Sequence, residues 1–184
     1  MAHQHDSAAC AMAHGDLPAD LGTRTLVAVF AAPVASFLLH FGRDAGFRTV
    51  LVEPDIGRVD DTIAAQADGI ASTVDPSFAD GSADIVVCDH DRPELGDMLA
   101  AALAYPARWI GVMGSPRHTG PHIAALRERG FADHQIARVH RPIGLNIGSH
   151  SPAEIAISTL AGLIADRNGR PGGFGYHPPS GGTS

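Results

Sequence analysis

Three short segments carry residue types that do chemistry. The densest is Asp89-His90-Asp91-Arg92, a histidine between two carboxylates and next to an arginine. An Asp-His pair serves general acid–base catalysis or ligates a metal. The plainer reading makes Asp91 a helix cap and leaves His90 facing solvent. His90 and Asp91 are the candidate catalytic residues. The second segment, Gly114-Ser115-Pro116-Arg117-His118-Thr119, joins a hydroxyl and an arginine to an expected helix start. That combination suits a phosphate or carboxylate, with Arg117 as the main charge partner. His118 and His122 are four residues apart, but no third ligand is near, so no metal site is assigned. The third, Pro142–Ser149, places Gly144 and Gly148 around Asn146. Two glycines in an apolar stretch indicate close backbone packing or a ligand's approach. Glu53, after an apolar run, stands where an acid would hold a ribose.

These segments need a scaffold, and the hydrophobic pattern supplies one. Thr25–Phe30, Arg48–Val52, Ala83–Cys88 and Arg108–Met113 are short, nearly continuous apolar runs, as in strands buried on both faces. Helical spacing falls between them. Val34, Phe37, Leu38, Phe41 and Ala45 define one helix face, and Leu95, Met98, Leu99, Ala102 and Leu103 another. A weaker helix is expected around Ile63 and Ala67, and an edge strand at Gly69–Ser72. Asp91 is expected to cap the helix before Leu95, with Glu94 at capping-box spacing. Pro121 places the next helix start near Thr119, with its end at Gly130. Ser151-Pro152-Ala153-Glu154 reads as an N-cap, a first-turn proline and a third-position glutamate. That helix runs to about Arg167 and is expected to bury Ala153, Ala156, Ile157, Leu160 and Ile164.

Alternation at this length predicts an α/β fold, a doubly wound, Rossmann-like parallel sheet with helices on both faces. Ligands of such folds sit outside the carboxyl ends of the strands. Phe30–Val34, Glu53–Gly57, Asp89–Arg92 and Gly114–Thr119 fall there, and Pro142–His150, before the last helix, is compatible with the same edge. The first loop, Phe30-Ala31-Ala32-Pro33-Val34-Ala35, contains no glycine. A pyrophosphate needs close approach and left-handed backbone, so NAD(P) is not expected to bind through it.

Composition narrows the classes. The chain has 184 residues, 45% of them hydrophobic, with 13 Lys+Arg against 20 Asp+Glu and a formal net charge of -7. An acidic chain without a basic stripe is not a general nucleic-acid binder. No apolar run approaches the roughly 20 residues of a membrane span. No secretory leader is read in the first 20 residues, so a cytoplasmic location is expected. Two cysteines, Cys10 and Cys88, form no scaffold or zinc pair. Residues 1–20 read as a flexible arm with three histidines, 21–169 as the Rossmann-like domain, and 170–184 as a flexible Gly/Pro/Ser-rich tail.

Several blocks together resemble a known family. They are Ile110-Gly111-Val112-Met113-Gly114-Ser115 with Arg117, then Ile136–His140, Pro142–Gly148 and Ser151–Ala156, with Val87–Asp91 as a strand-end His-Asp. The sequence from about 25 to 168 is similar to the C-terminal Rossmann domain of the XdhC/CoxI family. Those proteins are accessory factors for molybdenum hydroxylases of the xanthine and carbon monoxide dehydrogenase type. The resemblance implies a maturation factor that binds or delivers a molybdenum-cofactor (pyranopterin) ligand, or docks on the partner enzyme. Glu53, Gly114, Ser115, Arg117, Gly144, Asn146 and Gly148 would hold the ligand, with its phosphate near Ser115 and Arg117. His90 and Asp91 would face its reactive end. The chain departs from the family where Phe30, Ala32 and Pro33 replace two glycines and a histidine of the first loop. Pro116 stands for an arginine and Asn146 for an aspartate. It is expected to be a stand-alone member without the family's cysteine-bearing N-terminal domain, and a homo-oligomer is compatible with it. Two other readings stay open: an NAD(P)-dependent oxidoreductase with an atypical Rossmann pocket, and a non-catalytic interaction subunit that has lost its ligand.

Overall fold

A computed structural model describes residues 24–114 and 120–172. Ser115, Arg117, His118, both ends of the chain and Cys10 lie outside them. Six parallel strands form one sheet: β1 (Thr25–Val29), β2 (Arg48–Val52), β3 (Gly69–Ala71), β4 (Ala83–Val87), β5 (Trp109–Val112) and β6 (Val139–His140). Their order is β3-β2-β1-β4-β5-β6, the doubly wound Rossmann order with its switch point between β1 and β4. The helices are α1 (Pro33–Asp44), α2 (Asp61–Ala64), α3 (Leu95–Leu103), α4 (Pro121–Glu128), α5 (Asp133–Ile136) and α6 (Pro152–Arg167).

The continuous apolar runs are explained by burial on both sheet faces. Alternate residues of one strand enter different cores: Val27 and Val29 join Ile85, Val87, Leu99 and Leu126 on one face. Leu26 and Ala28 join Leu38, Leu51, Leu160 and Leu163 on the other. Each such aliphatic side chain contributes about 1.5–3 kcal/mol when fully buried.

Several expectations need correcting. The α1 face is rotated: Val34, Ala35, Leu38, Leu39 and Gly42 are buried, while Phe37 is exposed. Gly42 allows this, since a Cβ there would strike Leu26. In α6 the inward residues are Ala156, Ser158, Thr159, Leu160 and Leu163, and Ile157 faces out. The helix lies against both α1 and the segment before it, so two polar residues are drawn inside. Its start matches the expectation: Ser151 accepts from the Glu154 N–H, and Glu154 accepts from the Ser151 N–H. Residues 170–172 are still tied to the domain. The Arg170 N–H donates to Ala165 O, and Gly172 lies against Leu145. Helix α5 and strand β6 were not foreseen as elements, being too short to show a period.

Candidate functional site

The carboxyl edge of the sheet divides at the switch point. On the β1–β2 side, the turn after β1 is left-handed at Phe30 (φ +74°), although no glycine is present. The Phe30 N–H donates to Val52 O at 2.8 Å. Its ring is fully buried, with the Arg92 guanidinium 4.7 Å from the centroid. These contacts hold a conformation that a bulky side chain otherwise disfavours.

Glu53 is at the end of β2 as expected, but its carboxylate is closed. Oε2 accepts from the Ala31 N–H at 2.8 Å and Arg92 Nη1 at 3.1 Å. Oε1 accepts from the Asp55 N–H at 3.0 Å and Arg92 Nη2 at 2.9 Å. Four donors fill the acceptor sites of a carboxylate that is 0% exposed. Burial alone would raise its pKa, but the Arg92 and backbone hydrogen bonds outweigh burial and hold it below the ordinary glutamate value. Glu53 is thus an internal anchor, not a ligand-facing acid. Arg92 also reaches Glu94, through Nε at 3.2 Å. That pairing explains a second correction. Helix α3 begins at Leu95, and neither Asp91 nor Glu94 caps it through its side chain. Asp91 points outward, its side chain 87% exposed and 3.7 Å from His90 Nε2. Its own N–H donates to Asp89 Oδ1 at 3.0 Å.

The β4–β5 side is open. A cavity of about 780 Å³ lies between the ends of these strands, the segment 142–150 and the start of α6. It brings together five of the nine residues assigned from sequence: His90, Gly114, Gly144, Asn146 and Gly148. Glu53 and Asp91 are not among its lining residues, and Ser115 and Arg117 lie outside the described residues. The cavity also takes in Cys88, Met113, His150, Ser158 and Thr159, which sequence reasoning did not assign. Cys88 looked like an ordinary strand residue, and Ser158 and Thr159 were not singled out. The thiol of Cys88 is 7% exposed, donates to Val86 O at 3.6 Å, and is pushed well up in pKa by burial and by Asp89. It is a wall of the cavity, not a thiolate.

The two glycines play different parts. Gly144 has φ +86°, and a Cβ there would lie 2.8 Å from Ser158 Oγ and 3.3 Å from the Thr159 nitrogen. Its role is tight packing on α6. Gly148 also has a left-handed backbone, φ +68°, but a Cβ there would meet nothing within 4 Å. Its backbone is open to a ligand. No Asp, Glu, Lys or Arg lines this cavity among the described residues. What remains is the hydrogen-bonding capacity of His90, Asn146, His150, Ser158 and Thr159 on apolar walls, which suits a flat, polar heterocycle.

The family description XdhC Rossmann domain matches residues 26–163, three quarters of the chain. The chain belongs to the XdhC Rossmann-domain family. Over 99 residues it is 41% identical to the uncharacterized protein YqeB of Escherichia coli K12, covering 53% of this chain and 18% of that one. A crystal structure described as a xanthine dehydrogenase from Bacillus halodurans shares the fold at a TM-score of 0.64 and 23% identity. That match covers 80% of this chain and 45% of the other. The chain therefore spans less than half the length of either relative. No helix of the described residues is long and apolar enough to cross a membrane.

Proposed function

We propose that this XdhC-family domain acts as an accessory factor for a molybdenum hydroxylase, binding a molybdenum-cofactor-type ligand in the β4–β5 cavity. The observation that carries the reading is the convergence of His90, Asn146 and the open backbone of Gly148 on one cavity of about 780 Å³. That volume is in the range of small-molecule sites. The residues fit the group in kind. A pyranopterin is a flat heterocycle rich in donors and acceptors, and the cavity offers both against the apolar surfaces of Val34, Met113 and Ile155. His90, Asn146 and the Gly148 backbone would hold it. When bound, the cofactor supplies the metal centre at which a hydroxylase oxidises its substrate. This chain's residues bind and orient the ligand, while the apolar walls limit water. The same reading assigns no dinucleotide to the β1–β2 side, because Glu53 is engaged by Arg92 and no glycine stands in the loop after β1. It favours an accessory role over a nicotinamide-dependent enzyme.

The test is reconstitution of a xanthine- or carbon monoxide-dehydrogenase-type apoenzyme with and without this chain. The reading expects faster or fuller recovery of hydroxylase activity with the wild-type chain, and loss of that gain with Asn146→Leu. Equal recovery without the chain would overturn it.

A further inference from the structure

A second cleft, of about 470 Å³, lies at the carboxyl end of β6 against the start of α4. Gly120, His122, Arg127, Asp133 and Arg141 line it, with Ile123 as an apolar wall. His122 is 5% exposed, and its Nδ1 is buried with no hydrogen-bond partner among the described residues. An orphaned buried ring nitrogen is costly, and its presence asks for a partner. Arg141 stands on the same cleft. A methyl group built on Gly120 would collide with the His122 ring and lie 3.0 Å from Arg141 Nη1. The glycine thus lets the ring and the guanidinium meet at one point. That point is the N-terminus of α4, where Gly120 caps without a side chain and Pro121 takes the first turn. A helix N-terminus adds partial positive charge and backbone donors. The remaining charges offset each other: Arg127 on α4 pairs with Asp133 on α5 at 3.0 Å.

We propose that this cleft is an anion subsite, in which His122, Arg141 and the start of α4 receive a phosphate group. The donors come from two elements, the start of α4 with His122 and the segment after β6 with Arg141, so several oxygens of one phosphate can be met at once. The site is separate from the β4–β5 cavity, but its neighbour. A Cβ on Gly114, which lines that cavity, would lie 2.6 Å from Arg141 Nη2. A ligand whose ring occupies the cavity could place a phosphate here across Gly114. Burial first, and the Arg141 charge second, hold the His122 pKa below its ordinary value. A bound anion reverses the second effect, and the ring should then titrate at higher pH.

The test uses the full chain and no hydroxylase, so its outcome is independent of the accessory reading. Inorganic phosphate is titrated in, with the His122 ring followed by NMR and the melting temperature as a second readout; phenyl phosphate is titrated in parallel. We expect a saturable response with an upward shift of the His122 midpoint. Arg141→Ala should weaken apparent affinity about ten-fold, the loss of one charge-assisted contact. Gly120→Ala, whose backbone (φ -69°) any residue adopts, should weaken it comparably by pushing the ring into the cradle. Phenyl phosphate binding at least as tightly as phosphate would assign a monoester end of a larger ligand; phosphate binding alone would assign the free ion. Absence of a saturable response in the wild type overturns the proposal. So does an affinity unchanged in Gly120→Ala, whether or not Arg141→Ala folds.

Discussion

The two halves of the carboxyl edge use similar residue types to opposite ends. On the β1–β2 side an acid, an arginine and an aromatic ring satisfy one another. Glu53 accepts four hydrogen bonds, Arg92 spans two carboxylates, and Phe30 lies under the guanidinium. On the β4–β5 side the polar groups border open space, and Asp91 points away from it. The comparison teaches that titratable residues at a functional edge do not by themselves mark a site. Where they pair internally they are withdrawn from any ligand, and the proposed binding falls to the half whose polar groups border open space.

The largest effect should come from opening the closed half. Arg92→Ala leaves a buried, uncompensated carboxylate and should cost about 3–5 kcal/mol in denaturant unfolding. A loss below about 1 kcal/mol would mean that Glu53 reaches water and is not the anchor described here. Next in size is the packing glycine of the open half. Gly144→Val meets both a left-handed backbone and Ser158, and should cost about 2–4 kcal/mol. Gly148→Ala meets open space and should cost only about 1–2 kcal/mol for the backbone. Equal losses at the two positions would erase the distinction between them.

Acid titration probes the same contrast more gently. The Glu53 pKa is lowered on folding, so its stabilising contribution is fully present above the ordinary glutamate value of 4.5. It is lost as pH falls below that value toward the folded pKa. Wild-type stability should therefore fall on acidification through this window, and Glu53→Gln should lessen the fall. An unchanged slope in the variant would assign the acid lability to other carboxylates. The smallest effect is expected at His90, a half-buried ring on the open cavity. His90→Ala should keep the unfolding free energy within about 0.5 kcal/mol of wild type. A larger loss would make the ring part of the packing.

How far the sequence reaches follows from the same contrast. The central strands were legible because burial on both sheet faces leaves continuous apolar runs such as Leu26–Phe30. The α6 start was legible because Ser151, Pro152 and Glu154 are a local code. The pairing of Glu53 with Arg92 was not, since it joins residues 39 positions apart, and no local spacing predicts it. Its consequence misled twice: Glu53 looked like a ribose acid and Asp91 like a cap. Phe30 shows another limit. A missing glycine argued against a left-handed turn, yet tertiary burial holds that turn. Within the cavity, His90, Asn146 and the glycines were visible as types in strand-end loops. Ser158 and Thr159 were not, because their burial depends on how α6 lies on the sheet.

The most direct test of the central claim measures binding on both halves at once. Molybdenum cofactor released from a purified hydroxylase is titrated into the wild type, His90→Ala, Asn146→Leu and Glu53→Gln, each shown to be folded by circular dichroism. The division of the edge predicts saturable binding to the wild type and to Glu53→Gln. It predicts binding weakened about ten-fold or more in His90→Ala and Asn146→Leu, as expected for hydrogen bonds lost to the ligand. Binding that survives both cavity substitutions and fails in Glu53→Gln would place the ligand on the β1–β2 side and contradict the account.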